Sequence, residues 1–279
     1  MDMPISPAVH SRVTCSNCLL RNLCLPPGLS HRELECAEHL VSTRLRIRRG
    51  ASLYRSGDAF KSLYAVWLGS LKSTTSSDDA REQVTGFHMT GDMVGFDGLG
   101  AGSHTSDVVA LEDTEVCVFP YQRLEEVTSA VPALRQHLHR LMSRDIVRQQ
   151  RLMLMLGGMH AHERLAGFLV DLADRFEARG YSGREFILRM TRAEIGSFLG
   201  LTLETVSRVM SQFLRDGLID LRNVKQIRLA DPGRLRRIAA GTDVAKTQGL
   251  GRAPDAHLRV LRPARTVAAA RPEMAAEFA

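Results

Sequence analysis

The spacing of hydrophobic residues changes several times along the chain, and each change predicts a different kind of structure. Residues 1–28 show no regular spacing, whereas residues 31–41 have the spacing of a short helix. From about residue 44 to 120, short alternating runs are separated by glycines, a pattern typical of a β-sandwich or barrel-like roll. Helical spacing returns from Arg123 to about Leu156 and again, with a predicted wing, within residues 162–240.

The helix predicted from Arg123 carries an apolar seam with alternating four- and three-residue spacing, which is the signature of a coiled-coil face. Arg135 and His139 extend the seam upstream and make it partly polar. We interpret the seam as a weak dimer interface that can be switched. The alternative is that the helix packs only against its own domain. The predicted dimer residues are Met142, Ile146, Gln149 and Met153.

A helix-turn-helix is predicted within residues 190–219. Thr191 and Glu194 have the spacing of a capping box that begins a short helix. Gly200 allows a turn, and Thr202 can cap a second helix. That helix has an inward apolar face, and a second helix of this kind enters the major groove of DNA. The inward residues are Val206, Val209, Met210 and Phe213.

Three outward residues near the start of the second helix, Glu204, Ser207 and Arg208, are candidates for reading bases. Arg can bond guanine O6 and N7 together, and Glu can accept a hydrogen bond from cytosine N4. The alternative is a Glu–Arg pair on a solvated face. Residues 218–229 then predict a two-stranded wing. The side chains predicted to contact phosphates are those of Thr191, Arg222, Lys225 and Arg228. The alternative for each is a solvated surface group.

Composition narrows the class of protein. The 279 residues suffice for two domains, and the net charge of +6 fits a nucleic-acid partner. No apolar run approaches the 18 or more residues of a membrane span, and the N-terminus lacks the apolar region of a secretory signal. We therefore expect a cytoplasmic protein with no membrane partner. In that reducing compartment, clustered cysteines favour metal binding over disulfides.

Three of the five cysteines form a tight group, Cys15-x2-Cys18-x5-Cys24. Three thiolates this close can wrap a metal centre, but both a [4Fe–4S] cluster and a zinc ion require a fourth ligand. Cys36 lies in a helical stretch and Cys117 in a predicted strand. Spacing alone does not choose between Cys36 and Cys117, or between a cluster and structural zinc.

With these features in this order, the chain resembles the CRP/FNR superfamily of transcription regulators, and within it the fumarate and nitrate reduction regulators. The resemblance covers about residues 12–240 and is highly specific. It rests on KSLYAVWLGSLKS (61–73), TGFHMTGDMVGFDGLG (85–100), ERLAGFLVDLADRF (163–176), REF (184–186) and MTRAEIGSFLGLTLETVSR (190–208).

The resemblance implies an α+β architecture with an N-terminal β-roll, similar to a cyclic-nucleotide-binding jelly roll, a long dimerisation helix and a C-terminal winged helix-turn-helix. The expected boundaries are 1–28 for the cysteine segment, 29–122 for the roll, 123–158 for the dimerisation helix, 159–240 for the DNA-binding domain, and 241–279 for a disordered tail.

The resemblance also implies a function. Cys15, Cys18, Cys24 and Cys117 would hold a [4Fe–4S] cluster that supports a homodimer on DNA without oxygen and is degraded by oxygen. Glu204, Ser207 and Arg208 match the family's base-reading positions for a palindrome like TTGAT-N4-ATCAA. A patch around Ser73–Arg81 would contact RNA polymerase. No enzymatic activity is expected, since a dinucleotide-binding glycine motif, a P-loop and a catalytic dyad are all lacking.

Two departures from the family and two tests for other ligands refine this expectation. Leu19 stands where the best-known relative has serine, so oxygen sensitivity is expected to differ. Gln149 replaces an acidic residue, which weakens repulsion in the cluster-free form. Residues 82–122 contain no Lys or Arg to bind a cyclic phosphate, so cyclic-nucleotide binding is not expected. His88 and His104 could be imagined as haem ligands, and we interpret them as polar surface residues.

Overall fold

The computed structural model describes residues 6–7, 15, 18–76, 81–223 and 225–243. Most of the expected tail, 241–279, and part of the cysteine segment, 1–28, therefore lie outside the described residues. The described part of that segment contains a two-residue strand, β1 (Ser6–Pro7), and one turn of helix, α1 (Arg21–Cys24). The absence of regular spacing within residues 1–28 did not predict either element.

Two antiparallel sheets form the predicted β-roll, with strand orders β1-β2-β9-β4-β7 and β3-β8-β5-β6. Helix α2 (His31–Glu38) precedes the roll and is capped by Ser30 and Glu33. The remaining strands of the roll are β2 (Thr43–Ile47), β3 (Ser52–Tyr54), β4 (Ser62–Leu68), β5 (Ser70–Ser76), β6 (Glu82–Met89), β7 (Met93–Val94), β8 (Asp107–Ala110) and β9 (Thr114–Pro120).

Strand β9 is central in its sheet and is covered on both faces. Val116 faces the core between the two sheets, together with Val66 of β4. The next residue, Cys117, faces the other way and packs with Leu63 and Phe119 beneath the N-terminal segment and the helices that follow the roll. Successive residues of a strand point to opposite faces. Side chains of the run VCVFP therefore pack alternately into two separate cores.

The helix predicted from Arg123 to about Leu156 is in fact two helices, α3 (Tyr121–Ala130) and α4 (Pro132–Gly158). Pro132 occupies the first turn of α4, and the preceding Val131 is extended, with φ −121° and ψ 95°. A proline disfavours helical geometry in the residue before it but suits the first turn of a new helix. Proline chemistry therefore explains the break, which the apolar spacing concealed.

The C-terminal segment contains the predicted helix-turn-helix and wing. Thr191 and Thr202 cap the two helices of the motif, and Gly200 between them has φ 61°, which favours glycine. A third strand, β10, pairs with β12 and was not predicted from the sequence. The elements are α5 (Ala161–Glu177), β10 (Glu185–Ile187), α6 (Arg192–Leu199), α7 (Leu203–Arg215), β11 (Ile219–Leu221), β12 (Gln226–Leu229) and α8 (Pro232–Ala239).

The C-terminal segment packs directly against the roll. Val84 and Phe87 of β6 belong to the same buried cluster as Leu199 of α6. The Val84 amide donates to Ser197 Oγ at 2.9 Å, and Lys72 Nζ lies 3.0 Å from Glu194. The orientation of the DNA-binding elements is therefore fixed by apolar packing and by polar contacts to β5 and β6.

Candidate cysteine site and DNA-reading surface

Four cysteines line one cavity beside the first sheet. They are Cys15, Cys18, Cys24 and Cys117, the same four that the resemblance implied. The rest of the lining is mostly apolar and includes Trp67 and Phe119. Cys36 does not line this cavity; it lies half-buried on α2. The fold thus brings together cysteines that are separated by about 90 residues of sequence.

Local hydrogen bonding explains how the N-terminal cysteines reach this cavity. The Cys18 amide donates to the Cys15 carbonyl at 3.3 Å, and the Arg21 amide donates to the Cys18 carbonyl at 3.0 Å. Helix α1 then turns the chain so that Cys24 also faces the cavity. Cys117 comes from the sheet itself, where it pairs with Arg44 of β2 and with Ala65 of β4.

The cavity favours protonated thiols when no positive charge occupies it. Burial, followed by the charges of Cys117 and Cys18, raises the pKa of the Cys15 thiol to about 12. Burial likewise raises the pKa of Cys24 to about 12. Thiolates clustered in an apolar site repel one another and lose hydration. A bound metal centre would remove this penalty, because coordination deprotonates a thiol.

The donor set fits a cluster. Among the described residues, no three His, Cys, Asp or Glu side chains converge on a single-ion site. Thiolates on one zinc ion stand roughly 3.8 Å apart, because each Zn–S bond is about 2.3 Å long. In a [4Fe–4S] cluster each thiolate binds a different iron, so wider spacing is required.

The recognition surface of α7 is solvent-exposed. Glu204 and Arg208 are exposed, Ser207 is half-buried, and all three lie within the first two turns. The opposite face is buried, as its spacing predicted, with Val206, Val209, Met210 and Phe213 forming part of the core. The exposed start of a second helix is the part that contacts base edges in helix-turn-helix proteins.

The side chains proposed to contact phosphates differ in whether they already interact with another residue of the protein. Lys225 is exposed at the tip of the wing. Arg222 is also exposed but lies 3.4 Å from Glu185, and Arg228 pairs with Asp220 at 2.5 Å. Thr191 caps α6, and its hydroxyl bonds Glu194 at 2.9 Å. Engagement in the capping box leaves Thr191 the weakest phosphate candidate of the four.

Helix α4 exposes apolar side chains along one stripe. Ile146 is 57% exposed and Met153 is 65% exposed, one heptad further along the helix. Val147 and Leu154 widen the stripe, while Met142 and Gln149 are half-buried. A contiguous exposed apolar surface of this kind marks an interaction site.

Comparisons with known proteins agree with this architecture. A Crp-like helix-turn-helix domain matches residues 163–238, and a cyclic nucleotide-binding domain matches residues 44–130. The chain is 45% identical to the transcriptional regulatory protein Btr of Bordetella pertussis, over 83% of this chain and 94% of that protein. It is 40% identical to the fumarate and nitrate reduction regulatory protein of Escherichia coli K12, over 84% and 92% of the two chains. The chain belongs to the CRP/FNR family of transcription regulators.

Solved structures support the same assignment. The structure of FixK2 from Bradyrhizobium japonicum matches with a TM-score of 0.65 and 30% identity, over 71% of this chain and 98% of that one. As a CRP/FNR regulator the protein is a DNA-binding transcription factor and not an enzyme, and regulators of this family act as dimers. No helix among the described residues is long and apolar enough to cross a membrane.

Two histidines of this CRP/FNR roll were wrongly interpreted as surface residues. His88 is only 8% exposed, and its Nε2 atom lies 3.1 Å from Ser73 Oγ. His104 is 3% exposed, stacks on Tyr54 with ring centroids 3.6 Å apart, and lies 3.3 Å from Asp97. Both rings fill interior positions with partners far along the chain, which local polarity could not indicate.

Proposed function

We propose that this CRP/FNR regulator responds to oxygen through a [4Fe–4S] cluster held by Cys15, Cys18, Cys24 and Cys117. The observation that carries the proposal is the cavity which these four thiols line together. When bound, the cluster would link the N-terminal segment to strand β9 through iron–thiolate bonds that are lost when oxygen degrades the cluster. The relatives named for fumarate and nitrate reduction support this proposal, as does the Anr activator of Pseudomonas protegens, at 41% identity over 87% of this chain and 99% of that protein.

Contacts around α1 support a route from the cysteines to the rest of the protein. Burial lowers the pKa of His137, on α4, and the neighbouring backbone of Leu23 and Cys24 opposes that shift, so α1 lies against this helix. The Leu23 side chain packs closely on Gly91, where an added Cβ would lie 2.6 Å from Leu23 Cδ1. Holding Cys24 in place therefore fixes α1 against the dimer helix and against the turn between β6 and β7.

The exposed stripe of α4 would form the dimer interface, centred on Ile146 and Met153, with Met142 and Gln149 beside them. His137 lies nine residues before Ile146 on the same helix, about 13 Å away at 1.5 Å per residue. An ordered α1 would thus bias the position of this helix and its pairing with a second copy. Gln149 carries no charge to repel its counterpart, which would leave some dimer without the cluster.

In the dimer, two recognition helices would stand about one DNA turn apart, roughly 34 Å, and read the halves of a palindrome like TTGAT-N4-ATCAA. Glu204, Ser207 and Arg208 would contact bases, while Arg222 and Lys225 would contact phosphates. Two subunits double the phosphate contacts, so a modest change in dimerisation becomes a large change in DNA occupancy.

The boundaries of the cysteine segment, the roll and the DNA-binding domain are retained as part of this proposal, whereas the dimerisation helix is narrowed to α4 (Pro132–Gly158). The RNA polymerase contact around Ser73–Arg81 is retained only for its exposed part, because Ser73 is buried in the roll. Residues 77–80 of that patch lie outside the described residues. Leu19 is almost fully exposed beside Cys18, and it remains the position at which oxygen sensitivity is expected to depart from that of relatives.

Substitution of the fourth ligand tests the proposal. Cys117→Ala should abolish the visible absorption of the anaerobically purified protein and its anaerobic binding to a palindromic operator. Cys36→Ala is the matched control. Cys36 is also a thiol of the N-terminal half and is half-buried, but it does not line the cavity. The reverse pattern would show that Cys36 is the fourth ligand.

Structural zinc is the alternative for the same four thiols, because zinc also binds four cysteine thiolates. A cluster gives brown protein with about equal amounts of iron and sulfide, whereas zinc gives colourless protein without sulfide. Elemental analysis of protein purified under nitrogen separates these outcomes. Colourless, zinc-loaded protein would leave a DNA-binding regulator whose cysteine site has no part in oxygen sensing.

A further inference from the structure

Two arginines lie at the cysteine site: Arg21 lines the cavity itself, and Arg44 lies beside Cys117 and Trp67. Arg44 is the one held by the sheet. It lies on β2, and its backbone pairs with Cys117 in the register of the sheet. Even-numbered residues of β2 share the face that carries Cys117, because Leu45 and Ile47 point into the core between the sheets. The register and the pleat together therefore place a guanidinium beside the proposed fourth ligand.

The surroundings hold the Arg44 side chain in that position. Its guanidinium carbon lies 3.8 Å from the ring centroid of Trp67, which itself lines the cysteine cavity. A guanidinium over an indole face is held by electrostatic attraction to the ring. The Nε atom is buried and lacks a hydrogen-bond partner among the described residues. A buried donor without a partner is costly, and the cost is removed when an acceptor occupies the neighbouring space.

The Arg44 guanidinium also contacts the proposed fourth ligand directly, because it faces Cys117 as a hydrogen-bond donor and as a positive charge.

We propose that Arg44 is a positioning residue whose charge stabilises the cluster against oxidation by dioxygen. The inference rests on the proposed function. A cluster with four thiolates carries net negative charge, and neighbouring charges and hydrogen bonds to sulfur set its reduction potential. In the oxidation, one electron leaves the cluster, its charge rises by one, and dioxygen becomes superoxide. A nearby positive charge opposes that step.

Arg44→Met tests the proposal, because it removes the charge and keeps an unbranched side chain over Trp67. The decay of visible absorption after mixing with air-saturated buffer should become on the order of tenfold faster or more, because a unit charge in a partly buried site is only partly screened. The midpoint potential of the cluster should fall by about 59 mV, the one-electron equivalent of that tenfold change. Arg44→Lys should restore both values towards wild type.

Arg46→Met is the matched control. Arg46 lies two residues along the same face of β2, but its side chain is 64% exposed and it lies 3.8 Å from Glu115. Its removal should leave decay rate and potential unchanged. If the Arg44→Met protein contains no cluster while the Arg44→Lys protein does, that result would also support a role for the charge. Equal decay in wild type, Arg44→Met and Arg46→Met, or loss of the cluster in both Arg44 variants, would overturn the inference. A metal-free wild type would instead overturn the proposed function itself.

Discussion

Replacement of Asp92 by alanine should loosen the attachment of the DNA-binding segment to the roll. Asp92 lies in the turn between β6 and β7 and is 7% exposed. Its carboxylate lies 2.6 Å from Nη2 of Arg175, on α5, and 2.5 Å from Nη2 of Arg179, in the turn that follows α5. Arg148 of α4 approaches to 3.5 Å. These guanidiniums hold the pKa of Asp92 well below its usual range in spite of burial.

The expected cost follows from what the alanine variant leaves behind. Removal of one partner from a buried ion pair destabilises a protein by about 3–5 kcal/mol, because the remaining charge is buried without a partner. Here the loss should be near 3 kcal/mol, since Arg175 keeps a bond to the Phe87 carbonyl at 2.8 Å and Arg179 keeps one to the Thr90 carbonyl at 2.6 Å. At about 2–4 °C per kcal/mol for a chain of this size, the melting temperature should fall by roughly 6–12 °C.

Thermal and urea unfolding of anaerobic protein, followed by circular dichroism, measure this loss. Asp92→Asn keeps the shape and the acceptor for the Met89 amide, so it should lose about half as much. Asp171→Ala is the control: Asp171 also lies near Arg175, at 3.6 Å, but is 43% exposed, so it should lose at most about 1 kcal/mol. Equal stability of the Asp92→Ala and Asp171→Ala proteins would refute the reasoning.

Three further predictions concern DNA, the dimer and pH. Arg208→Ala should weaken operator binding by about 1–3 kcal/mol and relax selectivity at one base position, measured by fluorescence anisotropy with single-base operator variants; unchanged selectivity would remove the base-reading role. Ile146→Glu should weaken self-association at least tenfold in sedimentation experiments, because each copy would bury a charge where about 1.5–3 kcal/mol of apolar contact is expected; an unaltered dimer would exclude the α4 stripe. Burial lowers the pKa of His88 from 6.5 to about 4, and the negative charge of Asp92 opposes this shift with a smaller effect. The free energy of unfolding is therefore unaffected by His88 above pH 6.5, where the residue is neutral in both states, and it decreases by about 3 kcal/mol as the pH falls to 4. His88→Gln should flatten this pH dependence in urea titrations.

The sequence predicted most reliably the features that depend on local chemistry. The capping box of Thr191 and Glu194, the cap at Thr202 and the left-handed turn at Gly200 are confirmed. Each involves residues within a few positions of one another, where hydrogen bonding and backbone geometry suffice. Pro132 offered an equally local signal for the break between α3 and α4, but the apolar spacing across it was continuous.

Features that depend on distant partners were missed. His88 is buried against the neighbouring strand β5, where Ser73 Oγ, 15 positions earlier in the chain, lies 3.1 Å from its Nε2 atom. Asp92 lies more than 80 positions from Arg175 and Arg179, which bind it. In the sequence Arg44 resembles any solvated charge on a strand, and only the fold places Trp67 and Cys117 beside it. Spacing likewise left Cys36 and Cys117 equivalent; the resemblance favoured Cys117, and the fold places Cys117, but not Cys36, in the cavity with the other three.

Operator binding measured on one anaerobic sample before and after exposure to air tests the central claim most directly. The four-cysteine account predicts brown protein that contains iron and sulfide, binds a palindromic operator as a dimer, and loses colour and most of that binding together when air is admitted. Protein that is metal-free under nitrogen, or that binds the operator equally well before and after aeration, would contradict it.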